Sequence, residues 1–129
     1  MLVVDASAIF GALVLRPAHR SLIERLRGDG DLHAPHLIDI EYLNALRKFL
    51  LRRELRQDQA DDARREFGEL ALVRYPHQPL ADRMWELRQN VSIYDAAYLA
   101  LGEALGVPLI TLDARLARAP GLQAAVEVF

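Results

Sequence analysis

Short β-rich apolar runs alternate along this chain with longer stretches whose apolar residues recur every three or four positions. The opening run Leu2 to Val4 ends at Asp5 and passes through Ala6 and Ser7 into Ala8 to Leu15, the pattern of a strand turning into a helix. After Pro17, the positions Leu22, Ile23 and Leu26 fit a helix that Gly28-Asp29-Gly30 stops. Leu32 to Ala34 reads as a second strand. Pro35 then opens a long helical stretch from Leu37 to Leu55 with no breaker inside, followed by a more polar helix from Gln57 to Leu70. Leu72 to Tyr75 reads as a third strand, Leu80 to Gln89 as a helix, and Ile93 to Leu105 as another helix, opened by Ser92 and closed by Gly106. Val107 to Leu112 is the fourth strand, Asp113 starts a short helical turn that Pro120-Gly121 ends, and Ala125 to Phe129 completes the set as a fifth strand.

Strands alternating with helices predict a three-layer α/β sandwich with a mainly parallel central sheet, since right-handed crossovers place helices on both faces. No repeat, linker or low-complexity tract divides the chain, so residues 1–129 are expected to form one domain, large enough to bury roughly two-thirds of its unfolded surface. Apolar residues make up 52% and charged residues 26%, which argues against intrinsic disorder. The absence of cysteine excludes disulfides, thiolate zinc sites and thiol nucleophiles, leaving oxygen and imidazole chemistry. The N-terminus has no cationic lead and meets Asp5 too early for a membrane span, so a cytoplasmic location is expected.

Ligands in open α/β sheets bind beyond the carboxyl ends of the strands, where the strand order reverses. Asp5 and Asp113 each follow a predicted strand and precede a helix, and Glu41 and Asp95 lie near helix starts that belong on the same rim. Each also has a plain explanation. Asp113 is an N-cap candidate, Ser92 to Asp95 matches a capping box, and Glu41 shares a helical stripe with Asn44 and Lys48 as a solvated face would. Convergence favours the chemical reading: two unit charges about 4 Å apart repel by roughly 4 kcal/mol at an effective dielectric near 20. An oxygen-only set of this kind either holds protons at raised pKa or binds a hard cation such as Mg²⁺ or Mn²⁺.

Sixteen cations against eighteen anions give a net charge of −2, so the whole chain is not a basic nucleic-acid binder. Yet Arg47, Lys48, Arg52, Arg53 and Arg56 face only Glu54 within their segment, and Arg115 and Arg118 follow Asp113. Both groups are candidate phosphate contacts, against the alternative of a solvated helix face. Tyr42, Tyr94, Tyr98 and Trp85 fall in apolar helical patterns that suit a core or an interface better than base stacking. His19, His33, His36 and His77 form no helical ligand pair, and Gly28 and Gly30 lack the lysine of a phosphate loop.

The segments LVVDASAIF, EYLNAL from Glu41, and SIYDAAYLALGEALGVPLITLD from Ser92 resemble the PIN-domain ribonucleases, and among them the VapC-type toxins of toxin–antitoxin pairs. The resemblance spans the chain. It implies a PIN-like fold and an acidic metal site made of Asp5, Glu41, Asp95 and Asp113, with Ser7, Asn44 and Thr111 as supporting polar groups; Ser7, Asn44 and Arg115 are the candidate substrate contacts. It further implies an Mg²⁺-dependent endoribonuclease, with Mn²⁺ as a substitute, whose products carry 5′-phosphate and 3′-hydroxyl ends. The implied partners are an RNA substrate, a cognate antitoxin and a second copy in a homodimer or a larger toxin–antitoxin assembly. The alternative is a PIN-like binding or scaffold module that has lost its chemistry. A receiver domain would need an acidic pair after the first strand, and a haloacid-dehalogenase site would need an acid at position 7, where this chain has Ser7.

Overall fold

The computed structural model describes residues 1–129 and contains five strands, β1 (Leu2–Val4), β2 (Leu32–Pro35), β3 (Leu72–Tyr75), β4 (Leu109–Thr111) and β5 (Val126–Val128). They pair in the order β3-β2-β1-β4-β5, every pairing parallel. Between β1 and β2 the chain forms α1 (Ala6–Leu13) and α2 (Arg20–Asp29), and between β2 and β3 it forms α3 (Leu37–Leu51) and α4 (Gln57–Glu69). The return to β4 uses α5 (Ala81–Glu86) and α6 (Ile93–Leu105), and the short α7 (Ala114–Ala117) links β4 to β5.

The reversal of direction between these two sets of crossovers puts α1–α4 on one face and α5–α7 on the other. Packing agrees: α1 touches α2, α3 and α4, while α6 packs on α5, β1, β2 and β4. With both faces covered, β1 and β4 are buried at every position, which is why they read as unbroken apolar runs rather than alternating ones. The main core lies beneath α1 and α3, where Tyr42 stacks on Phe67 at 4.2 Å, meets Phe10 edge-on at 6.1 Å, and donates its hydroxyl to the Ala63 carbonyl.

Helix α3 ends four residues earlier than the sequence pattern predicts. Arg53 adopts φ 58°, its N–H bonding to the Leu50 carbonyl at 3.0 Å and that of Glu54 to Phe49 at 2.9 Å. This is a Schellman turn built without glycine. The predicted helix from Leu80 also contracts, to Ala81–Glu86 after a 3-10 turn at Gln78–Leu80, and the last strands lose residues at their ends. A staple holds the C-terminal segment to α5 and α6: Arg83 grips Glu103 at 2.6 and 3.0 Å and donates to the Gly121 carbonyl, while Glu103 also accepts from the Gln123 N–H. No helix is long and apolar enough to cross a membrane.

Candidate metal-dependent nuclease site

The sheet reverses its order between β1 and β4, and their carboxyl ends carry Asp5 and, two residues past Thr111, Asp113. Asp5 is 7% exposed and heavily tied down. It caps α1 by accepting the Ala8 N–H at 2.9 Å, takes the Ser7 hydroxyl at 2.6 Å on the same oxygen, and receives the Thr111 hydroxyl on the other. Ser7 in turn accepts the Leu112 N–H, and Thr111 accepts the Asp113 N–H. Ser7 and Thr111 therefore fix Asp5 and bind β1 to the loop after β4. Asp5 is thus also the N-cap of α1, so fold and candidate site share one carboxylate.

Glu41 sits in α3 and accepts the Tyr98 hydroxyl at 2.6 Å. Tyr98 is buried on α6, one turn beyond Asp95, so the sequence spacing placed it on the acid's face although its pattern suggested only a core residue. Asp95 lies in the first turn of α6, its N–H capped by Ser92 at 3.1 Å. Asp113 behaves differently. It caps α7 through the Arg115 N–H, and the Arg115 guanidinium clasps both its oxygens, the closest contact being 2.6 Å. Arg115, predicted as a substrate contact, is thus engaged with the fourth acid.

The acids sense one another. Burial pushes the Asp5 carboxyl up, opposed by its hydrogen bonds and reinforced by Asp95. Burial likewise raises Glu41, with Asp5 and Asp95 adding repulsion, and raises Asp95, with Asp113 adding and Arg115 relieving some. Asp113 alone is held down, chiefly by its bond to Arg115. The donors are oxygen only and three of the four resist ionising together, which is the chemistry of a hard-cation site. Nevertheless, no three His, Asp or Glu side chains form a group able to hold a metal ion in this arrangement. Glu41 leans on Tyr98 and Asp113 on Arg115, so a cation held by all four needs those two carboxylates to turn.

An expected outcome follows for stability. In the native state Asp95 binds its proton more tightly than in the unfolded chain, so its contribution favours folding at low pH and is lost as pH rises through its raised pKa. In EDTA, Asp95→Asn should match wild type below about pH 4, where both states hold the proton, and exceed it by a constant margin once the pH has passed the raised pKa, measured as the urea midpoint. Added Mg²⁺ should narrow the gap; a gap that widens toward acid would contradict the raised pKa.

Among the remaining candidates, Asn44, Lys48 and Arg52 line a cleft that opens from Glu41. Arg56 is paired with Asp58, and Arg118 donates only to the Ala114 carbonyl. Tyr42 and Tyr98 are core residues as expected, whereas Trp85 and Tyr94 stand on the surface, both 63% exposed. Arg88 covers the Trp85 ring at 4.6 Å. The histidines serve structure: His33 is buried between Tyr75 and Asp31, and His77 accepts the Leu37 N–H at the start of α3.

Comparison with known proteins agrees with this fold. Residues 2–122 match the PIN domain. Over 127 residues the chain is 43% identical to Ribonuclease VapC1 of Mycobacterium tuberculosis, covering 98% of this chain and 96% of that one. Among solved structures, VapBC2 from Rickettsia felis bound to a DNA fragment superposes with a TM-score of 0.73 at 14% identity, covering 98% and 97% of the two chains. A toxin–antitoxin complex from Klebsiella pneumoniae gives 0.72 at 17% identity, covering 100% and 98%. With its motifs, sheet order and near full-length identity in accord, the chain belongs to the PIN-domain family and, within it, to the VapC ribonucleases.

Proposed function

We propose that this chain is a Mg²⁺-dependent endoribonuclease, with Mn²⁺ as a substitute, that acts in the cytoplasm as the toxin of a toxin–antitoxin pair. The observation that carries the reading is the electrostatic linkage of four acids, drawn from four separate segments, at the switch point of a parallel sheet. Asp5, Glu41, Asp95 and Asp113 would hold the cation. When bound, it supplies Lewis acidity for attack of water on a phosphodiester and offsets charge on the leaving oxygen. Ser7 and Thr111 keep the Asp5 carboxylate fixed, so little reorganisation is needed as charge develops. Tyr98 orients Glu41 within the acidic set, and an oxygen of Glu41 or Asp95 left free of the cation would be placed to take the proton of the attacking water. Arg115 lies at the rim, placed to exchange Asp113 for a substrate phosphate.

The partners in this reading are an RNA strand, a cognate antitoxin and a second copy of the chain. The names of its relatives support the first two. Exposed Ile40, Leu43 and Leu51 along one side of α3 supply an apolar surface of the kind that protein partners cover.

The arginine clasp on Asp113 and the lack of three side chains grouped to hold a metal ion favour the alternative, a silent PIN-like module. Purified protein incubated with single-stranded RNA separates the two. Cleavage is expected with Mg²⁺ or Mn²⁺, none with EDTA, and the fragments should carry 5′-phosphate and 3′-hydroxyl ends. Intact RNA with both metals would leave the silent module standing.

A further inference from the structure

The cleft that opens from Glu41 has a volume of about 370 Å³ and is floored by apolar side chains of α1 and α3, including Phe49. That volume falls in the range of small-ligand sites, roughly 300–1,000 Å³. Its inner end is Ser7 and Glu41, part of the acidic centre; Asn44, Lys48 and Arg52 continue it along one stripe of α3. At 1.5 Å per residue, Lys48 lies about 10 Å beyond Glu41 along the helix axis, and Arg52 about 6 Å further. The second interval is close to the separation of neighbouring phosphates on an extended single strand.

Lys48 and Arg52 are uncommitted. Neither has an ion-pair partner, which is equally true of Arg20, Arg27, Arg47, Arg53, Arg64, Arg88 and Arg118; what sets the two apart is that both line the cleft. Phe49 is half-buried and held in place against Phe10, ring centres 4.7 Å apart, while still lining the cleft. An inorganic anion would have no use for the aromatic floor, and an apolar ligand none for two free cations. A nucleotide uses both, since every base has a face that stacks and every link a phosphate.

We propose that this cleft is a nucleotide subsite, holding one residue of the RNA strand next to the bond that is cut, with its base on Phe49 and flanking phosphates on Lys48 and Arg52. The proposal rests on the ribonuclease reading above and adds to it a path by which a polyanion approaches a centre that repels it. The abrupt end of α3 at Arg53 leaves Arg52 as the last cation on this stripe, so the track is short.

The test uses the full chain and a fluorescent single-stranded oligoribonucleotide, titrated in EDTA so that binding is read without cutting. The double variant Lys48→Gln with Arg52→Gln should bind about tenfold more weakly. Its slope of log affinity against log salt should be shallower by about 1.4, the value for two phosphate contacts at 0.7 each. Arg20→Gln with Arg64→Gln removes two unpaired charges elsewhere and should bind as wild type. Phe49→Leu should weaken binding about fivefold without altering the salt slope, and Phe49→Tyr, which keeps the ring, should not. With Mg²⁺ present, the Lys48/Arg52 variant should raise KM and leave kcat within about twofold. A wild type that cuts RNA, with the Lys48/Arg52 variant matching it in affinity and slope, overturns the subsite and leaves the nuclease reading intact. A wild type that neither binds nor cuts overturns both.

Discussion

Asp5→Asn is expected to lower Mg²⁺-dependent RNA cleavage by on the order of 10²–10³-fold, the loss seen when one organising group is taken from a preorganised site, and to leave the fold standing. The structure explains why the two effects separate. Asparagine keeps an oxygen for the Ala8 N–H and the Ser7 hydroxyl, and the Thr111 hydroxyl can reverse to accept from the new amide. What disappears is the negative charge, and with it the hardest of the four oxygen donors to replace, because Asp5 is the acid bonded to both central strands' connections. Asp5→Ala should behave differently, since it removes the cap of α1 and strands two hydroxyls, at a cost of about 1–3 kcal/mol. Cleavage assays paired with thermal melts check both, and undiminished cutting by a folded Asp5→Asn protein would remove Asp5 from the chemistry.

Tyr42→Ala should cost about 3–5 kcal/mol, the usual penalty for deleting a buried aromatic side chain. Tyr42 is fully buried and joins α3 to α1 through Phe10 and to α4 through Phe67 and the Ala63 carbonyl. Domains of this kind have about 5–15 kcal/mol in total, so the variant should lose much of its folded population on warming. Tyr42→Phe keeps the ring and gives up one hydrogen bond, about 1 kcal/mol. Urea unfolding distinguishes them; an alanine variant as stable as the phenylalanine one would mean that the aromatic contacts contribute little. Because α3 also carries Glu41, Asn44 and Lys48, partial loosening should depress RNA binding before global unfolding is complete.

The strands and the sheet class were legible because their signals are local or periodic, and the same signals placed Asp5 and Asp113 just past strand ends. Fully buried parallel strands read as short apolar runs, and an acid directly after such a run has few places to go other than the rim. Helix ends were less legible. A glycine marks the end of α6 at Gly106, but α3 ends at Arg53 in the same left-handed conformation with no glycine to announce it, at a cost of about 1 kcal/mol that tertiary packing offsets. Side-chain partnerships between distant segments left no trace in one sequence: the Tyr98 bond to Glu41 and the clasp of Arg115 on Asp113 depend on rotamers and on which helices meet. Surface aromatics misled for a related reason. Trp85 and Tyr94 sit in apolar helical patterns, yet their side chains face outward, and periodicity alone does not separate a buried stripe from an exposed one.

The reversal of strand order also governs when the protein can become active during its own synthesis. Asp5 emerges first, but its partner Thr111 and the acid Asp113 arrive more than a hundred residues later, and β5 must still add to the edge of β4. A nascent chain still missing its final segment therefore holds Asp5 through Ser7 and the Ala8 N–H alone, without the Thr111 hydroxyl or Asp113. In this topology the last two strands, not the first, close the connections at the switch point, so the proposed centre is assembled only when the C-terminal segment is in place.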